Sequence, residues 1–312
     1  MVDAFVFPGQ GSQQVGMLSC YMAEPAFIAV LQRASTALNA DLIRLIKEGP
    51  EAILNETRYT QPALLACSVA LYGLWCERGG REPALLAGHS LGEYSALVCA
   101  GSLELEEAVV LVAERGRLMQ EAVPQGEGLM AAVLGLEDDD VIQACLSVDD
   151  EYGSVQAVNF NMPGQVVMAG NRSAVEVAMA ACKARGAKRV LALPVSVPAH
   201  SRLMKPAANA LAHALSKVKI RMPSVMVLHN IDAQPAQDES DLRRRLLEQL
   251  YSPVQWVRTM QEFQVRGVTE LYECGPGRVL SGLAKRMPAF TVWPLDVTEA
   301  LQQALDHSCV RG

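Results

Sequence analysis

Short apolar runs alternate with longer segments whose apolar positions recur at helical spacing, so the chain reads as strands and helices in turn. Residues 4–7 form the first strand-like run. Helical periodicity follows over residues 24–38 and 42–46, and the apolar segment 63–75 is long enough for a buried helix. Residues 84–87 are the next strand, and residues 94–100 have helical composition. Ser102 is expected to cap a helix running from residue 103 to about 121, with Glu104, Glu106 and Glu107 in a first turn where the helix dipole favours anions.

From Gly128 the texture changes. Residues 129–136 read as a strand, 137–147 as a helix, 155–159 and 165–169 as strands, 173–185 as a helix and 188–194 as a strand. That order, βαββαβ, is the ferredoxin-like unit. Asn161-Met162-Pro163-Gly164 marks the turn between its middle strands, and Gly186 ends its second helix. The chain then returns to helix (201–216), strand (225–229), helices (241–250 and 257–266) and strand (271–274). Gly275-Pro276-Gly277 opens another helix, and residues 292–295 form a last short strand. Alternating strands and helices predict an α/β fold with a mostly parallel sheet covered on both faces. A large α/β domain is therefore expected from residues 1–126 and 199–312, with a small ferredoxin-like domain, 127–198, inserted into it.

The 312 residues suffice for such a pair of cores, and half of them are hydrophobic against a fifth charged, which fits a globular protein. The most apolar uncharged run, 59–76, is broken by Gln61, Pro62, Ser68 and Gly73, so no membrane span is predicted. Val2-Asp3-Ala4 lacks the basic start of a signal peptide, and a cytoplasmic location is expected. A net charge of −7 argues against nucleic acid but leaves room for a local basic patch facing an acidic partner. The eight cysteines are scattered without zinc spacing or a C-x-x-C pair and read as reduced, mostly buried small hydrophobes; no metal site is expected.

The chemistry concentrates at Gly88-His89-Ser90-Leu91-Gly92. A G-x-S-x-G pentapeptide between a strand and a helix is the context of a nucleophile elbow, a sharp turn that exposes a serine hydroxyl at the end of a sheet. Ser90 is the candidate nucleophile, and the elbow makes the large domain α/β-hydrolase-like. A serine nucleophile needs a base. His89 adjoins Ser90, and neighbouring residues in a turn point apart. His213 lies within a helix and His307 in the tail, where both read as solvated surface, whereas His229 at a strand end stays open. His200 is best placed, because Pro194-Val195-Ser196-Val197-Pro198 forms a stiff link out of the small domain directly before it. The loop Pro8-Gly9-Gln10-Gly11-Ser12-Gln13 follows a strand and can bring backbone N–H groups to a ligand, though it lacks a phosphate-loop pattern. Arg115 and Arg117 are both candidates to hold an anion, and spacing alone does not separate them.

Several of these fragments, together with Arg115-Gly116-Arg117-Leu118-Met119-Gln120, Val158-Asn159-Phe160-Asn161 and Tyr272-Glu273-Cys274-Gly275-Pro276-Gly277, resemble malonyl-CoA:acyl-carrier-protein transacylases, in that family's order and over nearly the whole chain. The resemblance implies that Ser90 is acylated, His200 is the base, and Arg115 clamps the malonyl carboxylate. It implies an oxyanion hole from the backbone N–H groups of Gln10 and Leu91, and orientation of His200 by the backbone carbonyl at Gln249. No cofactor is implied. The expected partners are malonyl-CoA and an acyl carrier protein, the latter meeting Lys285 and Arg286, and the chain is expected to act as a monomer. A serine hydrolase or thioesterase on a similar elbow, and a silent acyl-sensing subunit, are the competing readings.

Overall fold

The computed structural model describes residues 2–195, 197–287 and 289–310; Ser196, in the link to His200, lies outside them. The chain opens with β1 (Val2–Phe7), followed by helices α1 (Pro25–Leu38), α2 (Leu42–Glu48), α3 (Glu51–Leu54) and α4 (Thr57–Glu77). Then come β2 (Leu85–Gly88), α5 (Gly92–Cys99) and α6 (Leu105–Glu121). A second sheet unit comprises β3 (Gly128–Leu134), α7 (Asp138–Leu146), β4 (Val155–Met162), β5 (Gln165–Asn171), α8 (Arg172–Ala184) and β6 (Arg189–Ala192). The chain closes through α9 (Lys205–Leu215), β7 (Met226–Leu228), α10 (Glu239–Glu248), α11 (Trp256–Val265), β8 (Val268–Glu273), α12 (Val279–Ala284), β9 (Thr291–Pro294) and α13 (Thr298–Val310).

The larger sheet has the order β7-β2-β1-β8-β9, with every neighbouring pair parallel. Its centre is apolar without alternation because both faces are covered. In β1, Phe5 and Phe7 join the core built on α1, α4 and α6, while Ala4 and Val6 pack on the opposite face with Trp256, Met260 and Phe263 of α11. The smaller sheet is antiparallel in the order β4-β5-β3-β6, which is the ferredoxin-like arrangement that the βαββαβ pattern predicts. Leu129, Ala131 and Val133 of β3 pack against α7 and α8, whereas Met130 turns to the other face, where it meets Val158, Val167 and Ala169. The two sheets are tied together by main-chain bonds. Val254 N–H donates to Val158 O at 2.8 Å, and Phe160 N–H to Val254 O at 3.0 Å.

Three expectations are corrected. Ser102 caps no helix: its N–H goes to Leu97 O, its carbonyl takes Arg221 N–H, and α6 starts after Glu104. Helix α4 begins at Thr57, six residues before the apolar stretch, so Gln61 and Pro62 lie inside it. The tail is helix α13, and His307 on it packs against Trp293 with ring centroids 4.6 Å apart instead of facing solvent. All eight cysteines are unpaired, but only Cys67, Cys145, Cys182 and Cys274 are buried.

Candidate active site

The elbow is where β2 ends and α5 begins, and its two glycines are required by close approach. A Cβ on Gly88 would sit 1.8 Å from the carbonyl carbon of Gly92, and one on Gly92 would sit 2.0 Å from Phe7 O. Between them Ser90 takes the left-handed region, with φ 53, which costs a non-glycine residue about 1 kcal/mol or more. Both of its main-chain groups are held. Ser90 N–H donates to Asn230 Oδ1 at 2.7 Å, and Ser90 O accepts from Gln249 Nε2 at 3.0 Å. Asn230 also donates from Nδ2 to Gly88 O at 2.6 Å, so one amide side chain spans the turn.

His200 reaches this turn from the link after the small sheet. It too is left-handed, with φ 64, and its N–H is fixed to Leu250 O at 2.9 Å. Its Nδ1 lies 2.7 Å from the Gln249 carbonyl and its Nε2 lies 2.8 Å from Ser90 Oγ. Because a carbonyl can only accept, Nδ1 carries the proton and Nε2 is left as the acceptor facing the hydroxyl. The ring is 2% exposed. Burial, with Arg115 nearby as a lesser cause, pushes its pKa down to about 3, against the opposing pull of the Gln249 carbonyl. His200 is therefore a neutral acceptor at neutral pH.

Arg115 is carried on α6, which crosses α4 so closely that a Cβ on Gly116 would lie 2.6 Å from Thr57 O. That crossing brings the guanidinium onto Gln61: NH1 donates to Gln61 Oε1 at 2.8 Å and NH2 to Gln249 Oε1 at 2.9 Å. Its central carbon lies 5.4 Å from the centre of the Tyr94 ring, and its Nε has no partner among the described residues. Burial lowers its pKa, yet a guanidinium starts so far above neutrality that it stays charged. Burial separates the two arginines that spacing leaves alike: Arg115 is 1% exposed, and Arg117 points outward to Glu114 and Glu121 at 2.6 Å each.

These groups line one cavity of ≈ 300 Å³ at the carboxyl ends of β1 and β2. In an open parallel sheet, ligands bind at that end. Gln10 and Leu91 also line it, and their backbone N–H groups have no hydrogen bond among the described residues. Its opposite wall comes from the small sheet and the link: Met130, Ala132, Val167, Leu193 and Val195 make it largely apolar, with Asn159, Asn161 and Gln165 as its polar members. Leu280 and Leu283 of α12 stand at its edge, and the exposed Lys285 and Arg286 follow that helix. His89 lies in the cavity wall, with Nε2 2.8 Å from Asn161 Oδ1 and its ring edge-on to Trp256, and burial lowers its pKa. His229 makes no hydrogen bond to Ser90 among the described residues; its Nδ1 lies 2.8 Å from Glu93 Oε1. His213 is exposed, as expected. Among the described residues no three His, Cys, Asp or Glu side chains are grouped so as to hold a metal ion.

Sequence patterns did not single out Gln61, Glu93 or Asn230. The available signal was a polar residue inside an apolar context: Gln61 heads the apolar stretch of α4, and Glu93 opens a helix whose next residues, through Leu97, are all buried.

With the geometry in hand, the sequence also matches the acyl transferase domain family over residues 4–272. Malonyl CoA-acyl carrier protein transacylase of Escherichia coli strain K12 is 52% identical over 305 residues, 97% of this chain and 98% of that relative. The chain belongs to the malonyl-CoA:acyl-carrier-protein transacylase family. Among solved members of this transacylase family, FabD from Acinetobacter baumannii is 49% identical with a TM-score of 0.96, covering 99% of both chains. A malonyl-transacylase solved in complex with a type II PKS acyl-carrier protein is 48% identical with a TM-score of 0.96, covering 98% of this chain and 100% of that one. The hydrolase-like sheet with its ferredoxin-like insertion is thus the transacylase architecture.

Proposed function

We propose that this chain moves a malonyl group from malonyl-CoA to the phosphopantetheine thiol of an acyl carrier protein through a malonyl-Ser90 ester, supplying extender units for fatty acid synthesis. The observation that carries the reading is the 2.8 Å contact of His200 Nε2 with Ser90 Oγ in a cavity that also holds the buried Arg115. His200 Nε2 takes the hydroxyl proton as Ser90 Oγ attacks the thioester carbonyl. The oxyanion that forms is met by the N–H groups of Gln10 and Leu91, the second being the residue after the nucleophile. The C–S bond then breaks, and the leaving thiolate recovers the proton from His200. In the second half the carrier thiol gives its proton to Nε2 and attacks the serine ester; the Oγ–C bond breaks, Ser90 Oγ takes the proton back from His200, and the malonyl thioester leaves.

Arg115 holds the malonyl carboxylate throughout. Its two terminal nitrogens already donate to Gln61 and Gln249, which fixes the plane of the guanidinium fork. Gln249 supports His200 with a neutral carbonyl in place of the carboxylate of a Ser-His-Asp triad, which sets the tautomer but stabilises the imidazolium less. Lys285 and Arg286 are assigned to the carrier-protein rim.

We also divide the chain into a large domain, 1–126 and 199–312, and an inserted domain, 127–198; the separate cores of the two sheets support this division. A cytoplasmic location is supported by eight unpaired cysteines. The test is intact mass after incubation with malonyl-CoA or acetyl-CoA. One malonyl adduct that is absent in Ser90→Ala is expected. An adduct persisting in Ser90→Ala would overturn the nucleophile, and release of free malonate in place of transfer to carrier protein would make the chain a hydrolase.

A further inference from the structure

Beneath the elbow lies a buried carboxylate that the acyl-transfer steps above do not use. Glu93 is 0% exposed and is the second residue of α5. Its Oε1 accepts from His229 Nδ1 at 2.8 Å, and its Oε2 accepts from Asn230 N–H at 2.8 Å and from Gln249 Nε2 at 3.0 Å. Two of those donors belong to the residues that grip Ser90. Asn230 holds the Ser90 N–H, and the same Gln249 nitrogen that reaches Glu93 also reaches Ser90 O.

Gln249 does more than grip the elbow. Its backbone carbonyl accepts a hydrogen bond from His200 Nδ1, and its side-chain Oε1 accepts one from Arg115 NH2. The Gln249 amide is therefore strung between a carboxylate on its nitrogen side and a guanidinium on its oxygen side. Each charge polarises the amide in the direction that strengthens its bond to the other. An amide placed this way cannot flip without setting its NH₂ against a guanidinium and its oxygen against a carboxylate.

From this arrangement we propose that Glu93 is a positioning residue for the whole site: by fixing Asn230 and the Gln249 amide, its carboxylate sets the separation of Ser90 and His200 and the aim of Arg115. Glu93 touches no substrate atom in this role. His229 serves as the cap that satisfies its second oxygen. A shift of the reacting groups of order 1 Å costs about 10²-fold in rate, which sets the scale of the expected effect. The inference rests on the reading of Ser90 as nucleophile, so its test uses a probe that reports nucleophilicity without any acyl substrate.

A fluorophosphonate ester supplies this. Ser90 Oγ forms the O–P bond, fluoride leaves, and the hydroxyl proton passes to His200. The full-length protein and its Glu93→Gln and Glu93→Asp variants are reacted with the probe, and both the rate and the final labelled fraction are read by intact mass. Glu93→Gln removes the charge and one acceptor at nearly constant volume, and is expected to label to completion but about 10²-fold more slowly. Glu93→Asp keeps the charge one methylene further back and is expected to recover part of that rate, which a space-filling role would not produce. In malonyl transfer the Gln variant is expected to lose kcat while KM changes less than about threefold.

Unchanged labelling rates in the folded variants would overturn the proposal, as would a reduced labelled fraction reacting at the wild-type rate. If Glu93→Gln does not fold, the Asp variant decides by the same two readings. A wild-type protein that takes no label would instead remove Ser90 as nucleophile, and with it the function proposed above.

Discussion

Replacing Arg115 with alanine asks how much of the preference for a carboxylated acyl group depends on one buried cation. The guanidinium is 1% exposed, so a malonyl carboxylate that meets it has left water. Removing one member of a buried, hydrogen-bonded ion pair costs about 3–5 kcal/mol, because the remaining charge keeps its desolvation and loses its partner. At 1.36 kcal/mol per decade, even the lower figure predicts a fall of roughly 10²-fold in kcat/KM for malonyl-CoA. Acetyl-CoA carries no charge on its acyl group, so its kcat/KM is expected to fall by much less or to rise.

The substitution also strands Gln61 Oε1 and Gln249 Oε1, the two acceptors that Arg115 now satisfies. Each stranded acceptor is worth about 1–3 kcal/mol of stability, offset in part by the lost burial of a charge. Thermal unfolding is therefore measured alongside kcat/KM for both thioesters, and Arg115→Lys is included because it keeps the charge but not the fork. The lysine variant is expected to fall between wild type and alanine. A folded alanine variant that keeps its malonyl preference, or that loses both substrates equally, would refute the clamp. Arg117 offers no substitute, since its fork is already held by Glu114 and Glu121 at the surface.

Four further outcomes are expected. With His200 pushed down to about 3, kcat/KM for malonyl-CoA should stay level from pH 8 to about 5, and an inflection near the ordinary histidine value of 6.5 would contradict the burial argument. Since its folded pKa is the lower one, the unfolded chain takes the proton first, so the same residue should make stability fall as pH drops from 6.5 toward 3, read as a declining denaturant midpoint. Reversing Lys285 and Arg286 to Glu should slow transfer to carrier protein through association while leaving transfer to pantetheine nearly unchanged; equal losses with both acceptors would remove the basic rim. Gly92→Ala should destabilise the fold by about 2 kcal/mol or more, because its Cβ would press on the Phe7 carbonyl, and an unchanged melting temperature would show that the elbow can relax.

How much of this could be read from residues alone followed the range of the forces involved. The elbow was legible because its glycines answer to a local turn, and the ferredoxin-like unit because each strand and helix carries its own period. His200 could be favoured from its proline-stiffened approach. Arg115 and Arg117 could not be separated from each other by residue type, because two positions apart on a helix means opposite faces, and only the crossing with α4 says which face is inside. Gln61, Glu93 and Asn230 were invisible for a related reason: they are ordinary polar residue types, and what distinguishes them is burial against partners from 54 to 156 positions away. Ser102 failed as a cap because its main chain is committed to Leu97 and Arg221. Helix α13 was overlooked although Leu301, Ala304 and Leu305 keep helical spacing, since three apolar residues make a narrow stripe.

The apolar wall that the small sheet presents to the cavity bears on the lifetime of the acyl-enzyme. The base that accepts a proton from a carrier thiol can also activate a water molecule, and the proposed ester on Ser90 is open to either. Met130, Ala132, Val167, Leu193 and Val195 offer no side-chain acceptor or donor on that side. A water molecule needs two to four polar partners to settle in a fixed place. Along these five side chains it lacks them, and the polar groups of the same sheet are confined to Asn159, Asn161 and Gln165, of which Asn161 is already bonded to His89, so few places remain where a solvent molecule is anchored against the ester. On the proposed mechanism the inserted sheet thereby favours the carrier thiol over water as the second nucleophile.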